Sequence, residues 1–145
     1  MKKWLKVLFG LLIVGIIAAL LVYKFVINKP HADISKAKAA FEFAANDLWS
    51  KYTTDTKASD SLFTGKVIQI DGTVSRVETA DSTSYVVFVM EADSTFGDKS
   101  IRCELDPKQL EEKPNIKNGD ALKLKGLCSG YDETDIKFTN TFIVK

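Results

Sequence analysis

Histidine is almost missing from this chain of 145 residues: there is one, His31. Cysteine is nearly as scarce, with Cys103 and Cys128 the only two. Without an imidazole near a nucleophile, no Ser-His-Asp or Cys-His set can be assembled. Two thiols and one distant histidine fall short of the four ligands of a structural zinc site. The cysteines are too far apart in sequence for a C-x-x-C redox pair. The 8 glycines never gather into a phosphate-binding loop. These absences point away from catalysis, metal and cofactor, so the chain is not expected to be an enzyme. His31 follows Pro30 and reads as an ordinary loop residue.

Acidic residues are absent from the first 29 positions, which hold five of the 20 basic ones (Lys2, Lys3, Lys6, Lys24, Lys29). The remainder has fifteen basic residues against all 19 acidic ones, a net charge of −4 hidden by the formal +1 of the whole chain. From Val7 to Tyr23 there is no charge at all. As a helix, Trp4 to Ile27 would span roughly 30 Å, the thickness of a bilayer core. Trp4 and Tyr23 suit the membrane interface, and Lys6 and Lys24 can extend their stems past its edges. The run is longer than a signal-peptide core and lacks a clean small-residue exit, so an uncleaved anchor is expected. Lysines on both sides leave the positive-inside rule near a draw. The very short leading tail resembles a signal-anchor, with the N-terminus cytoplasmic and the C-terminal part extracytoplasmic, which is periplasmic in a Gram-negative bacterium.

Beyond the anchor (1–29), the pattern divides into a helix and polar loop (30–63) and a β-rich region (64–145). Apolar residues at 34, 37, 41, 44, 48 and 52 recur at steps of three and four, predicting one amphipathic helix. Asp33 is placed to cap it. "TTDTKASDSLF" reads as a loop. After Gly65 the period becomes two. "KVIQIDGTVSRV" reads as one strand whose interior Gly72 suggests a bulge. "ETADSTS" reads as a turn, and "YVVFVM" as a strand covered on both faces. "SIRCELD" alternates cleanly. Asp106, Pro107 and Gln109 then mark a short capped helix. "LKLKGLCSG" and "IKFTNTFIVK" are the last two strands. The chain is therefore expected to be mainly β, a five-stranded OB-fold Greek-key barrel. A short helix lies between strands 3 and 4, and an amphipathic helix and a transmembrane helix precede the barrel.

"FTGKVIQIDGTVSRVE", "IRCEL", "IKNGDALKLKGLCSG" and "DIKFTNTFIV" resemble the bacterial tRNA_anti-like OB-fold family, as does "AFEFAAND" before them. The resemblance covers residues 31–145. It implies a membrane-anchored or lipoprotein-like protein of the OB fold, most members having no assigned activity. The chain departs from it in its longer polar loop before the barrel and in having a transmembrane segment rather than a lipid-anchor cysteine.

Cys103 and Cys128 both take the inward phase of their strands. They are the disulfide candidate, closing a loop worth roughly 3 kcal/mol in an oxidising compartment. The other reading is two buried free thiols. Asp132, Glu133 and Asp135 form an acidic turn, read as solvated rather than cation-binding. OB domains bind through strands 2 and 3 and adjacent loops. Arg76, Tyr85, Phe96, Arg102 and Tyr131 are the ligand-binding candidates there. The surrounding loops are acidic, with Glu91, Asp93 and Asp98 joining "ETADSTS" and "SGYDETD". Nucleic acid needs a basic groove, so this field speaks against it. The expected partner is a protein or envelope component. Single-stranded nucleic acid is the alternative, and an enzyme of unknown reaction the second alternative.

Overall fold

The computed structural model describes residues 2–24, 33–112 and 114–145, in two compact units, Met1–Ala32 and Asp33–Lys145. In the first, helix α1 spans Lys2–Val22, 21 residues with none buried. It is long and apolar enough to cross a membrane, as both anchors and signal sequences are. The expected break at Asn28 to His31 lies outside the described residues.

The second unit opens differently from expectation. Residues 33–37 make a turn, with Ser35 Oγ bonded to Asp33. Strand β1 follows (Phe41–Ala44), and only then helices α2 (Ala45–Thr54) and α3 (Thr56–Phe63). The single amphipathic helix is therefore a strand followed by a helix. Phe41 and Phe43 share one side of β1 and pack edge-on against Phe63, 5.2 and 5.4 Å between ring centres. That aromatic cluster, plus parallel pairing with the next strand, outweighs the helical spacing of the same residues. The expected polar loop is α3, capped where Asp55 accepts from Ala58 N at 3.0 Å.

Six more strands and one helix complete the unit: β2 (Val67–Thr73), β3 (Arg76–Ala80), β4 (Thr83–Glu91), β5 (Lys99–Leu105), α4 (Pro107–Glu111), β6 (Ala121–Tyr131) and β7 (Asp135–Ile143). They form one seven-stranded sheet in the order β1-β2-β6-β7-β5-β4-β3. This open sheet replaces the expected closed five-stranded barrel. The expected first strand is split at Val74 and Ser75, its halves pairing with β6 and β4 respectively. Val74 N bonds Asp120 O while Ser75 N bonds Val87 O, so the chain changes partners between adjacent residues.

Gly72 makes no bulge, because the β2–β6 register is regular through it. A Cβ there would lie 3.1 Å from Ala45 Cβ and from the Phe88 ring, so glycine admits α2 and β4 closely. The "ETADSTS" turn shrinks to Asp81-Ser82, both at positive φ, between paired Ala80 and Thr83. Asp106 caps α4 as expected, accepting from Lys108 N at 2.9 Å. Gln109 does not complete a capping box: its side chain accepts from Ile143 N at 3.0 Å and ties α4 to β7.

The core gathers Leu48, Trp49 and Tyr52 of α2, Phe63 of α3, and the inward residues of the sheet, among them Ile68, Phe88, Ile101, Leu124 and Phe138. Cys103 and Cys128 lie in it as free thiols, correcting the disulfide expectation. The reason is register. Phe138 pairs with Cys103 on one side and with Cys128 on the other. Two strand spacings separate Cα atoms by about 9–10 Å, beyond the roughly 7 Å a disulfide tolerates.

Candidate functional site

Three of the five predicted binding residues meet on the outer face of β3, β4 and β5. Cys103 points inward, so Arg102 and Glu104 point outward, and the register carries that phase across the sheet. Glu78, Tyr85 and Glu104 form one row of register partners. Arg76, Val87, Arg102 and Lys137 form the next. An acidic row therefore lies beside a basic one. Glu78 joins them: its Oε1 is 2.6 Å from Arg76 Nε and its Oε2 is 3.0 Å from Arg102 Nη2. The Arg102 guanidinium also sits 4.3 Å from the centre of the Tyr85 ring, a cation–π contact. Val87 faces outward yet is only 1% exposed, because it lies between the stems of two arginines. That explains the continuous apolar run of β4.

Phe96 belongs to the β4–β5 loop and is 87% exposed. The loop holds it there by design of its backbone. Asp93 Oδ1 accepts from Thr95 N at 2.7 Å and Phe96 N at 3.2 Å, and Gly97 turns the chain at φ 89°. Those bonds hold the Asp93 carboxyl below its ordinary range. Arg76 Nη1 reaches Asp98 Oδ2 at 2.9 Å, fastening the loop to the charged face.

Tyr131 is elsewhere. Its ring packs against Trp49 at 5.9 Å and Tyr52 at 5.7 Å, and its hydroxyl donates to Glu133 O at 2.8 Å. It is part of the seam between α2 and β6, not of the outer face.

A cleft of about 250 Å³ lies beside the arginine pair, lined by Tyr85, Arg102, Glu104, Ser129, Lys137 and Thr139. Lys137 Nζ pairs with Asp132 Oδ2 at 2.5 Å, and Ser129 and Thr139 share a hydroxyl contact of 3.3 Å. Sequence reasoning missed Glu78, Glu104 and Lys137 as members of the face. The alternation in "SIRCELD" marks Glu104 as a neighbour of Arg102, whereas Lys137 joins through the parallel β5–β7 pairing, which no local pattern shows.

The remaining reactive groups are held inert. Burial pushes the thiols of Cys103 and Cys128 above their ordinary range, and Tyr52 likewise, its hydroxyl 3.5 Å from Cys128 Sγ. The aspartates of the acidic turn spend their oxygens on the turn and its neighbouring strands. Asp132 Oδ1 accepts from Asp135 N at 2.8 Å, and Asp135 Oδ1 accepts from Ser100 Oγ at 2.5 Å. Among the described residues no group of three metal-ligating side chains converges.

Among solved structures, the chain is similar to a candidate nucleic acid-binding lipoprotein from Klebsiella pneumoniae. Identity is 16%, the match covers 81% of this chain and 100% of that one, and the TM-score is 0.55. The yeast Stn1 and Ten1 structure matches at 17% identity over 76% of this chain and 65% of that one, TM-score 0.43. A candidate aspartyl-tRNA synthetase from Leishmania major matches at 12% identity over 88% and 26%, TM-score 0.46. No curated protein matches the chain. The first of these likenesses shares the fold, and the family pattern runs through both units: by its match over residues 1–142, the chain belongs to the tRNA_anti-like family.

Proposed function

We propose that the chain is a membrane-tethered, extracytoplasmic OB-type module that binds a protein or another envelope component through the outer face of β3, β4, β5 and β7. The role is binding rather than catalysis. The observation that carries it is the state of the face's cations: Arg76, Arg102 and Lys137 are each already paired with an acid of the same surface. A phosphate backbone would have to displace those acids one by one, whereas a protein surface with its own mixed charges exchanges partners. Exposed Phe96 next to the charged rows supplies the aromatic anchor that protein interfaces favour. Helix α1 supports the tether, and the Klebsiella lipoprotein supports an envelope setting.

Nucleic acid is the second reading, favoured by the binding named for the Klebsiella protein and by the Arg102–Tyr85 stack. One experiment separates the two. The tagged full chain is crosslinked in its native membranes, and the captured material is compared with that of a Tyr85→Ala, Arg102→Ala double variant. Loss of a discrete protein or envelope band in the variant is the expected result. Equal capture would remove this face from the reading. A nucleic-acid adduct abolished by nuclease would install the second reading instead.

A further inference from the structure

The cleft beside the arginine pair is unevenly balanced. Its two cations are both engaged: Arg102 by Glu78 and the Tyr85 ring, Lys137 by Asp132. Its half-buried acid, Glu104, has no ion pair and no side-chain hydrogen bond among the described residues. Tyr85 is its direct register partner, so a phenol stands next to the carboxylate. The Ser129 and Thr139 hydroxyls line the same cleft and can accept further hydrogen bonds. The lining therefore presents a fixed acceptor and negative charge, an aromatic wall and two hydroxyls, with its own positive charge already neutralised. Asp132 of the β6–β7 turn is spent on Lys137, which leaves Glu104 as the unpaired charge of the lining.

We infer that this cleft receives a lysine or arginine side chain of a partner polypeptide, with Glu104 as its counter-charge. The inference rests on the binding reading above and gives it a partner chemistry: a protein segment that is basic at the point of contact. A cleft of about 250 Å³ is the right scale for one long side chain rather than a folded oligomer. An ammonium or guanidinium head fills the acceptor positions, and its methylene stem lies along Tyr85. An anionic ligand meets the opposite situation, since the only free charge in the cleft repels it.

The test uses the full chain in nanodiscs of zwitterionic lipid and a fluorescein-labelled oligolysine peptide, with oligothymidylate and oligoglutamate as comparison probes. Anisotropy is expected to rise with oligolysine and not with the other two. Glu104→Gln is expected to weaken the binding roughly 3- to 5-fold, the scale of one exposed ion pair. Asp47→Asn, exposed on α2 across the core from this face, is expected to leave it unchanged. Near-ultraviolet circular dichroism confirms that each variant keeps its fold. Equal oligolysine affinity in wild type and Glu104→Gln would overturn the inference, as would a preference for oligothymidylate. Capture of a native partner that is lost in the Tyr85, Arg102 double variant but kept in Glu104→Gln would overturn the cationic occupant alone and leave the binding face standing.

Discussion

Gly126 lies on the inward side of β6, and the space its side chain would take is already filled. A Cβ there would come 2.6 Å from Thr141 Oγ1 and 3.3 Å from Thr139 O. Thr141 is buried at 1% exposure, and its hydroxyl has no hydrogen-bond partner. Glycine and threonine are therefore a matched pair, the absence of one side chain making room for the other. Gly126→Ala is expected to destabilise the fold by about 1–3 kcal/mol, the usual cost of overpacking. Thr141→Ala removes the obstructing hydroxyl, so it should rescue the glycine variant. Urea denaturation of the two single variants and the double variant in micelles gives the coupling. Additive losses would mean that the two residues do not share the space. Single contacts likewise separate the binding candidates. Tyr85 and Tyr131 look alike in sequence, each an aromatic at a strand end near charge. One stacks under a guanidinium on the outer face, the other meets Trp49 edge-on beside the core.

Elements with their own punctuation were legible. Asp106-Pro107 sets the start of α4, and strict alternation sets β5, because both depend on neighbours in sequence. β1 was not legible. Phe41 and Phe43 fit a helical stripe and a strand equally well, and the choice is made by Ile68–Asp71 arriving alongside and by Phe63 packing across both rings. α3 was lost for the opposite reason. Its composition, "TKASDSLF", is that of a loop, yet Asp55 caps it and Ser59 and Phe63 are buried on one face. The cap was the available signal, and it makes a prediction. Asp55→Ala is expected to cost about 1 kcal/mol. The first measurable effect should be faster hydrogen exchange confined to α3, with the β-sheet amides unchanged. Loss of protection across the sheet would show instead that α3 and the sheet unfold together. The charged face falls between these cases. Alternation revealed which residues of β5 point outward, but opposite rows on β3, β4, β5 and β7 emerge only when the sheet sets the register.

Across the whole molecule, one sheet separates two chemistries. Outside, the cations of one row pair with acids of the same surface and Glu104 stays unpaired among the described residues; inside, the buried thiols and Tyr52 are held neutral by burial. Cys103, Cys128 and Tyr52 lie together in that interior, with Phe138 between the two thiols. Burial raises all three above their ordinary values, chiefly because a thiolate or phenolate would lose its water. Above the ordinary thiol value of 9.0 the unfolded chain releases protons that the folded chain retains. Unfolding is then favoured as pH rises, while below that value the two states bind the same protons at these sites. Stability is therefore expected to hold constant through neutral pH with respect to these groups and to fall above about pH 9. Each thiol that stays protonated only in the fold adds about 1.4 kcal/mol per pH unit to the slope. Tyr52 adds its share once pH passes its ordinary 10.0. The measurement is the urea midpoint of the full chain in micelles between pH 7 and 11, for wild type and Cys103→Ala. The variant is expected to start lower, because a core side chain is shortened, and to fall less steeply. Parallel curves would mean that Cys103 ionises as readily in the fold as in the unfolded chain, which a fully buried thiol between β4 and β7 does not allow.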